Sequence, residues 1–317
     1  MSRPRARGAG ARLAAAALGA AADRLLGEPP GSAHPLRAFG VVMARVERLL
    51  YRDGRAFGAL YTLAGVGIGA LSGLGARSVA AASYLACGGR ALAEAAGAVD
   101  DALGRADLPG ARAAVRSLVG RDVANLDEGE IARATVESVA ENTVDALIAP
   151  LCFAALAGAP GALSYRAVNS LDALVGYRSP RYQRFGWASA RLDDLANYLP
   201  ARLTALLVGL VRPRRAREVW RIVRRDAPGH PSPNAGVAEA AFAAALGVRL
   251  GGTNSYGGVL DARPELGDGR AVLRADISRA VRLSQEVGDA AFALLLAASL
   301  AASSRAAGRS ELGRCRP

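Results

Sequence analysis

The sequence predicts an all-α protein, a multi-pass helical membrane protein with polar helical and loop segments at the membrane surface. Hydrophobic residues make up 51% of the 317 residues, and the mean hydropathy is +0.17. Aromatic residues contribute only 5%, so most of the apolar content is small, which suits close helix packing in lipid. Uncharged stretches recur along the chain, and strand patterns are scarce.

The net charge is +12, and every basic residue is arginine. The arginines cluster between apolar stretches, most densely in "RPRRAREVWRIVRR", Arg212 to Arg225. Such a pattern is typical either of a patch for nucleic acid or acidic lipid, or of a genome-wide preference for Arg, Ala and Gly. We favour the second interpretation and expect no nucleic-acid partner.

Two further features of composition exclude classes of site. The three cysteines, Cys87, Cys152 and Cys315, form no CxxC or Cys/His metal spacing, so neither a disulfide framework nor a zinc site is indicated. The absence of lysine excludes a P-loop, which needs a lysine to reach the phosphates. A nucleotide would therefore have to be held in another way.

The N-terminus resembles a secretory signal, with a basic segment over residues 1–11 followed by small apolar residues. Because the organised stretch "DRLLGEPPGSAHPLRAFG" follows at once, we expect a retained apolar helix. His34 in this stretch is a candidate polar contact at the membrane edge.

The first strong membrane candidate is 56–76, "AFGALYTLAGVGIGALSGLGA". Its 21 uncharged residues would span about 30 Å as a helix, enough for the hydrocarbon core. Gly65, Gly69 and Gly73 repeat at a spacing that allows a second helix to approach closely. A second apolar run, 78–93, is expected to pack against the first.

The later apolar stretches are less regular. Residues 146–165 are uncharged but contain Pro150 and "GAPGA", which predicts a kinked or re-entrant helix. The remaining candidates are 195–211, a short amphipathic stretch over 235–250, and 290–304. We therefore predict one helical membrane domain over 12–304, a water-exposed helical region over 94–142, and a disordered polar tail over 305–317.

Carboxylates stand directly before the 146–165 stretch. Glu137 and Glu141 in "TVESVAENT" are four residues apart and share a helix face. Together with the amide of Asn142 they suit Mg²⁺, which takes oxygen ligands and is often shared with phosphates. A solvated helix face is the alternative, but the position beside an apolar segment favours function.

The next polar block runs from "RAVNSLDALVGYRSP" to "ARLDDLANYLPAR". Arginine side chains bind phosphate in bidentate fashion, and adjacent aspartates can hold the metal that neutralises it. Structural ion pairs are the alternative. The candidates are Asn169, Asp172, Arg178, Arg181, Arg191, Asp193 and Asp194.

Two further segments could contact anions. His230, Ser232 and Asn234 lie in the proline-rich "APGHPSPNAG", which leads into a helix N-terminus, where free N–H groups can face a ligand. A plain turn with an asparagine cap is the alternative. The glycine-rich "LGGTNSYGG" is interpreted as a loop with Asn254 and Tyr256 as polar tips.

Taken together, several long segments resemble the CobD/CbiB family of cobalamin biosynthesis. They follow in order from about Asp23 to the last apolar helix, and they include "DRLLGEPPGSAHPLRAFG", "ESVAENTVDALIAPL", "YRAVNSLDALVGYRSPRYQRFGWASARLDDLANYLPARLTALL" and "APGHPSPNAGVAEAAFAAALGVRLGGTNSYGG". Because the resemblance covers nearly the whole chain, it is more specific than any single motif.

The resemblance implies adenosylcobinamide-phosphate synthase activity in the cytoplasmic membrane. Such an enzyme is an ATP-using ligase that joins adenosylcobyric acid to (R)-1-amino-2-propanol O-2-phosphate, or to ethanolamine phosphate, through an amide bond. The expected partners are the corrinoid, the amino-alcohol phosphate and the lipid bilayer, with contacts to other pathway enzymes left open. Because the substrates are cytosolic, the polar segments should face the cytoplasm, in agreement with the arginine-rich 212–225 segment.

The chemistry of amide formation assigns hypothetical roles to the candidates. ATP and Mg²⁺ are expected as co-substrate and metal, with no tightly bound organic cofactor. Glu137, Glu141, Asp193 and Asp194 are the predicted catalytic residues, and Glu137, Glu141 and Asp194 the predicted metal ligands. Substrate and phosphate binding is assigned to Asn142, Asn169, Asp172, Arg178, Arg181, Arg191, His230, Ser232, Asn234 and Asn254.

Two rival interpretations stay open. A corrinoid transporter would also use broken helices with carboxylates, although the chain shows no internal repeat. A membrane scaffold for corrinoid intermediates would need fewer clustered polar residues than the chain contains.

Overall fold

The computed structural model describes residues 3–29, 35–177, 179–256 and 258–312. These ranges are mostly helical, as predicted, and contain one two-stranded antiparallel hairpin. In chain order the α-helices and strands are α1 (Arg3–Leu26), α2 (Pro35–Leu50), α3 (Arg55–Gly75), α4 (Val79–Ala86), α5 (Gly89–Gly104), α6 (Leu108–Val115), α7 (Glu128–Thr143), α8 (Ala149–Leu171), α9 (Trp187–Val211), α10 (Ala216–Asp226), α11 (Ala235–Leu246), β1 (Leu250–Tyr256), β2 (Val259–Leu266) and α12 (Ala275–Leu312).

The chain divides into two compact units, and the single helical membrane domain that we predicted over 12–304 stays a prediction. Unit 1 contains 1–88, 149–196 and 291–317, and unit 2 contains 89–148 and 197–290. The predicted end segments over 1–11 and 305–317 lie partly outside the described residues. Residues 3–11 lie within α1, and 305–312 continue α12, because both stretches are rich in alanine and arginine, which favour helix.

In unit 1, α3 and α8 pack through a row of glycines. A Cβ added at Gly69 would lie 2.7 Å from the carbonyl oxygen of Leu163, and one at Gly73 would lie 2.3 Å from Cα of Pro160. The glycines predicted from their spacing therefore form the surface of α3 that contacts α8. The predicted kink is also present, since Gly158 adopts φ 67° inside α8.

Three helices are long and apolar enough to cross a membrane, within the part of the chain that the structure describes. They cover Arg55–Gly75, Glu128–Gly176 and Ala275–Arg305. The predicted stretch 195–211 is not among them, because its helix includes the charged and polar residues of the preceding turns. The run 78–93 is split between α4 and α5 at Cys87.

The structure of unit 2 differs from the prediction in three segments. The middle of α7 is buried from Ala134 to Ala140, so the region before residue 142 is not water-exposed throughout. Helix α11 is buried on every side rather than amphipathic, because its residues are small enough to pack all round. The stretch "LGGTNSYGG", expected to be a loop, forms β1, which pairs with β2 from Leu250 opposite Leu266 to Tyr256 opposite Val259.

Candidate functional site

A buried polar cluster lies within unit 2. It consists of Arg121, Arg133, Glu137, His230, Glu239 and Asn254. Helix α7 supplies Arg133 and Glu137, one helical turn apart, and β1 supplies Asn254. Asp127 and Glu130 form a reciprocal capping box at the start of α7, which fixes where this helix begins.

Glu137 is the centre of the cluster and is only 4% exposed. One carboxylate oxygen accepts from Arg121, and the other accepts from Arg133 at 3.1 Å and from the backbone N–H of Gly251 at 2.8 Å. Gly251 adopts φ +81° beside a β-bulge, which brings its N–H to the carboxylate. Both oxygens of Glu137 are therefore engaged by donors, which is how a buried charge is tolerated.

Asn254 is held by the same arginines. Its Oδ1 accepts from Arg121 at 2.6 Å and from Arg133 at 3.4 Å. Because guanidinium groups only donate, the oxygen must face them, and this fixes the direction of the amide NH₂ group. That group, Nδ2, is buried and has no hydrogen-bond partner among the described residues. Nδ2 of Asn254 is therefore a buried hydrogen-bond donor that pairs with no acceptor among the described residues.

The loop before α11 is built around Ser232. Its hydroxyl accepts from the backbone N–H groups of Asn234 and Ala235, at 3.3 and 3.1 Å. Ser232 therefore caps α11, and the side chain of Asn234 makes no cap hydrogen bond. Asn234 instead accepts from Arg202 at 3.0 Å. The backbone donors predicted to face an anion thus have an internal acceptor in this arrangement.

His230 and Glu239 face each other without a hydrogen bond. Nε2 of His230 lies 3.8 Å from Oε1 of Glu239, and both side chains are almost fully buried. Burial, reinforced by the charges of Glu137 and Glu141, raises the pKa of Glu239 well above its usual range. Burial lowers the pKa of His230, so its imidazole is neutral at neutral pH.

The other predicted residues of α7 lie further along the same helix. Glu141 is exposed, one turn after Glu137, as the four-residue spacing predicted. The amide nitrogen of Asn142 donates to Ser138, at 2.9 Å to its carbonyl oxygen and 3.1 Å to its hydroxyl. Whether Glu141 and Asn142 take part in catalysis or binding stays a prediction.

The predicted residues of unit 1 form small polar groups of their own. Asn169 donates to Asp193 at 3.5 Å, and Arg191 lies 3.7 Å from Asp194. Burial raises the pKa of Asp194, while Arg191 opposes the shift. Asp172 begins a single π-helical turn that continues α8. Whether these residues bind phosphate or metal stays a prediction.

Arg181 has a structural set of contacts in unit 1. It lies 2.9 Å from Glu47, and its guanidinium stacks 4.0 Å over the ring of Tyr51. Tyr182 also donates to Glu47 at 2.9 Å. Phosphate binding by Arg181 would have to compete with these contacts. Arg178 and His34 lie outside the described residues.

Sequence reasoning missed three members of the cluster: Arg121, Arg133 and Glu239. Glu239 carried a usable signal, because it is the only charged residue in the apolar stretch that becomes α11. Arg121 and Arg133 carried no usable signal, because the chain contains 40 arginines. Their partner Asn254 is also more than a hundred residues away in the sequence.

The predicted Mg²⁺ site stays a prediction. Within the described ranges, no group of three or more His, Cys, Asp or Glu side chains could hold a metal ion. Glu137, a predicted ligand, already has donors on both oxygens. Its arrangement fits an anchor for arginines better than a direct metal ligand.

Comparison with known proteins identifies the family. The model of the family described as "CobD/Cbib protein" matches residues 16–284. "Cobalamin biosynthesis protein CobD" of Mycobacterium tuberculosis (strain ATCC 25618 / H37Rv) is 48% identical over 299 residues, covering 88% of this chain and 94% of the relative. The protein of the same name from Geobacter metallireducens is 47% identical, covering 78% and 83% of the two chains.

A third relative carries the second family name. "Cobalamin biosynthesis protein CbiB" of Salmonella typhimurium is 40% identical over 299 residues, covering 87% of this chain and 94% of the relative. No solved structure matches the chain significantly. The family match and these identities, which extend over most of the sequence, confirm the resemblance seen in the motifs: the chain belongs to the CobD/CbiB family.

Proposed function

We propose that the chain joins adenosylcobyric acid to (R)-1-amino-2-propanol O-2-phosphate, or to ethanolamine phosphate, through an amide bond. Membership of the family supports a role in cobalamin biosynthesis, in the synthesis of adenosylcobinamide phosphate. The substrates and the use of ATP are our assignment, based on the chemistry that such a product requires.

Amide formation needs an activated carboxylate and a positioned amine. The corrinoid carboxylate would attack the terminal phosphorus of ATP, releasing ADP and giving an acyl phosphate. The amine nitrogen would then attack the acyl carbon, and the bond from that carbon to the phosphate oxygen would break, releasing inorganic phosphate. Positioning and charge stabilisation dominate catalysis of such steps, and no protein nucleophile is required.

The observation that carries the proposal is the buried polar cluster of unit 2. Glu137 holds Arg121 and Arg133 in fixed orientations, and both arginines fix the amide of Asn254. A preorganised, water-poor set of donors of this kind stabilises anionic oxygen more strongly than solvated donors do. We assign the unpartnered Nδ2 of Asn254 to a phosphate or carboxylate oxygen of a substrate.

Mg²⁺ is proposed as part of the ATP co-substrate. It keeps several waters and is commonly bound by one or two carboxylates together with phosphate oxygens. Glu141, Asp193 and Asp194 stay the candidate carboxylates for this contact, and Arg191 a candidate for phosphate. Glu137 would act indirectly, by holding the two arginines.

We propose that the protein is a multi-pass protein of the cytoplasmic membrane with its polar segments facing the cytoplasm. The three long apolar helices support membrane insertion by length and composition. Exposed leucines along α3, including Leu60, Leu63, Leu71 and Leu74, would contact lipid on the face away from its glycines.

The test is a product assay on detergent-purified protein supplied with adenosylcobyric acid, aminopropanol phosphate, ATP and Mg²⁺. We expect a corrinoid product that carries the phosphate, with one ADP released per product. No product from folded protein that binds the corrinoid would contradict the proposal. Corrinoid flux across vesicles would then favour a transporter, and binding of pathway enzymes without turnover would favour a scaffold.

A further inference from the structure

The pair formed by Glu239 and His230 is not explained by packing. Every residue of α11 is buried, and Glu239 is the only one that carries a charge. Its side chain is 6% exposed, and that of His230 is 3% exposed. A carboxyl group in such surroundings is costly unless it meets a donor or a cation.

The two side chains do not satisfy each other. The 3.8 Å between Nε2 and Oε1 is too long for a hydrogen bond, and Nε2 is buried without a hydrogen-bond partner among the described residues. Nδ1 lies 3.2 Å from the carbonyl oxygen of Ser232 and 3.1 Å from its N–H. Nδ1 can either donate to that carbonyl or accept from that N–H. When Nδ1 donates, Nε2 is an acceptor, and a cation between the two side chains would meet two acceptors.

The surroundings of Glu239 disfavour an uncompensated carboxylate. Helix α7 contributes Glu137 and Glu141, the segment before α7 contributes Arg121, and β2 contributes Arg263. Arg121 is committed to Glu137, and Arg263 lies 3.0 Å from Asp261. Burial, and after it the charges of Glu137 and Glu141, raises the pKa of Glu239, and a cation bound beside the carboxylate would compensate for both effects.

We infer that Glu239 and His230 form the subsite that recognises the amine of the amino-alcohol phosphate. This inference rests on the proposed function and assigns one end of its smaller substrate. One ammonium nitrogen can lie about 2.8–2.9 Å from two acceptors that are 3.8 Å apart, donating to both. The phosphate end would use the donors of the same unit, with Nδ2 of Asn254 foremost.

A small zwitterion fits this arrangement better than the alternatives do. A phosphate alone would leave Glu239 without a cation, and a metal ion would lack a group of three or more His, Cys, Asp or Glu ligands in the described ranges. An amine with a phosphate two carbons away supplies a cation for Glu239 and an anion for the donors. The compound with the amine should therefore bind more tightly than its amine-free analogue.

The experiment compares ethanolamine phosphate with ethyl phosphate by isothermal titration on the purified full-length protein. Wild-type protein should prefer the amine-bearing compound by about tenfold or more, as one charge-assisted contact allows. Glu239→Gln preserves side-chain shape but removes the charge, and should reduce this preference to about twofold or less while affinity for ethyl phosphate stays unchanged. Glu265→Gln, at an exposed ion pair with Arg249, is the matched control and should keep the full preference.

The outcomes separate this inference from the proposed function. Equal binding of the two compounds by wild-type protein, or an undiminished preference in folded Glu239→Gln protein, would overturn the amine subsite even if product is formed. His230→Asn is a second variant, and it should lower the affinity for ethanolamine phosphate but not for ethyl phosphate. If no product forms but the preference for the amine-bearing compound is intact, the proposed ligase activity is contradicted and the amine subsite is still supported.

Discussion

The α3–α8 contact of unit 1 and the buried polar cluster of unit 2 are stabilised in opposite ways. The first depends on missing side chains, since Gly69 and Gly73 leave no room for a Cβ. The second depends on hydrogen bonds, since Glu137 receives donors on both carboxylate oxygens. The difference teaches that a regular spacing is enough for the apolar contact, whereas the polar cluster needs partners from distant parts of the chain.

The largest expected effect is that of Glu137→Gln, which removes the buried charge that holds two partly buried arginines. Breaking one side of a buried ion pair costs about 3–5 kcal/mol. The control is Glu94→Gln, because the Arg90–Glu94 pair has the same four-residue spacing but is exposed. The control should change the free energy of unfolding by about 0.5 kcal/mol or less. Thermal unfolding in detergent measures the stability of both variants. Equal losses of stability would contradict the claim that burial makes the Glu137 ion pairs important.

The next effect tests the apolar contact. Gly73→Ala would place a methyl group 2.3 Å from Cα of Pro160, and the backbone would have to move. We expect a loss of about 1–3 kcal/mol of unfolding free energy. Gly67→Ala is the matched control, because nothing lies within 4 Å of its Cβ position, and it should stabilise the helix by about 0.5–1 kcal/mol. A stable Gly73→Ala protein would show that the α3–α8 contact is looser than described.

A smaller effect concerns the pH dependence contributed by Glu239. Its pKa in the folded protein is raised above the ordinary value of 4.5, so the folded state holds the proton more tightly than the unfolded chain. This contribution is fully present below pH 4.5 and is lost as the pH rises through the raised pKa. Relative to Glu239→Gln, the wild-type unfolding free energy should fall with pH by at most about 1.4 kcal/mol per unit. A parallel pH dependence of the two proteins would contradict the shift.

The smallest effect concerns the start of α11. Ser232→Ala removes the acceptor of two backbone N–H groups and should cost about 1 kcal/mol. Ser232→Thr keeps the hydroxyl and should stay within a few tenths of a kcal/mol of wild type. Equal losses in the two variants, measured by thermal unfolding, would assign the effect to packing rather than to the cap.

The sequence predicts the helical class, the glycine row of α3 and the kink of α8, because each depends on local periodicity or on a residue with special backbone freedom. It does not predict the β1–β2 hairpin, since the glycines that suggested a loop accommodate a β-bulge. Asn254 and His230 were identified as candidates from their type, but their unpartnered atoms depend on tertiary contacts. Arg121 and Glu137 meet only because the segment before α7 folds back on it.

The most direct measurement of the central claim is the product assay with Asn254→Asp. This variant keeps the oxygen that accepts from Arg121 and Arg133, and its charge suits both arginines, so the thermal stability should be retained. It replaces the unpartnered Nδ2 donor with an acceptor. If the polar cluster of unit 2 binds a substrate anion, product formation should fall by about a hundredfold or more. A folded Asn254→Asp protein with wild-type turnover would contradict the account.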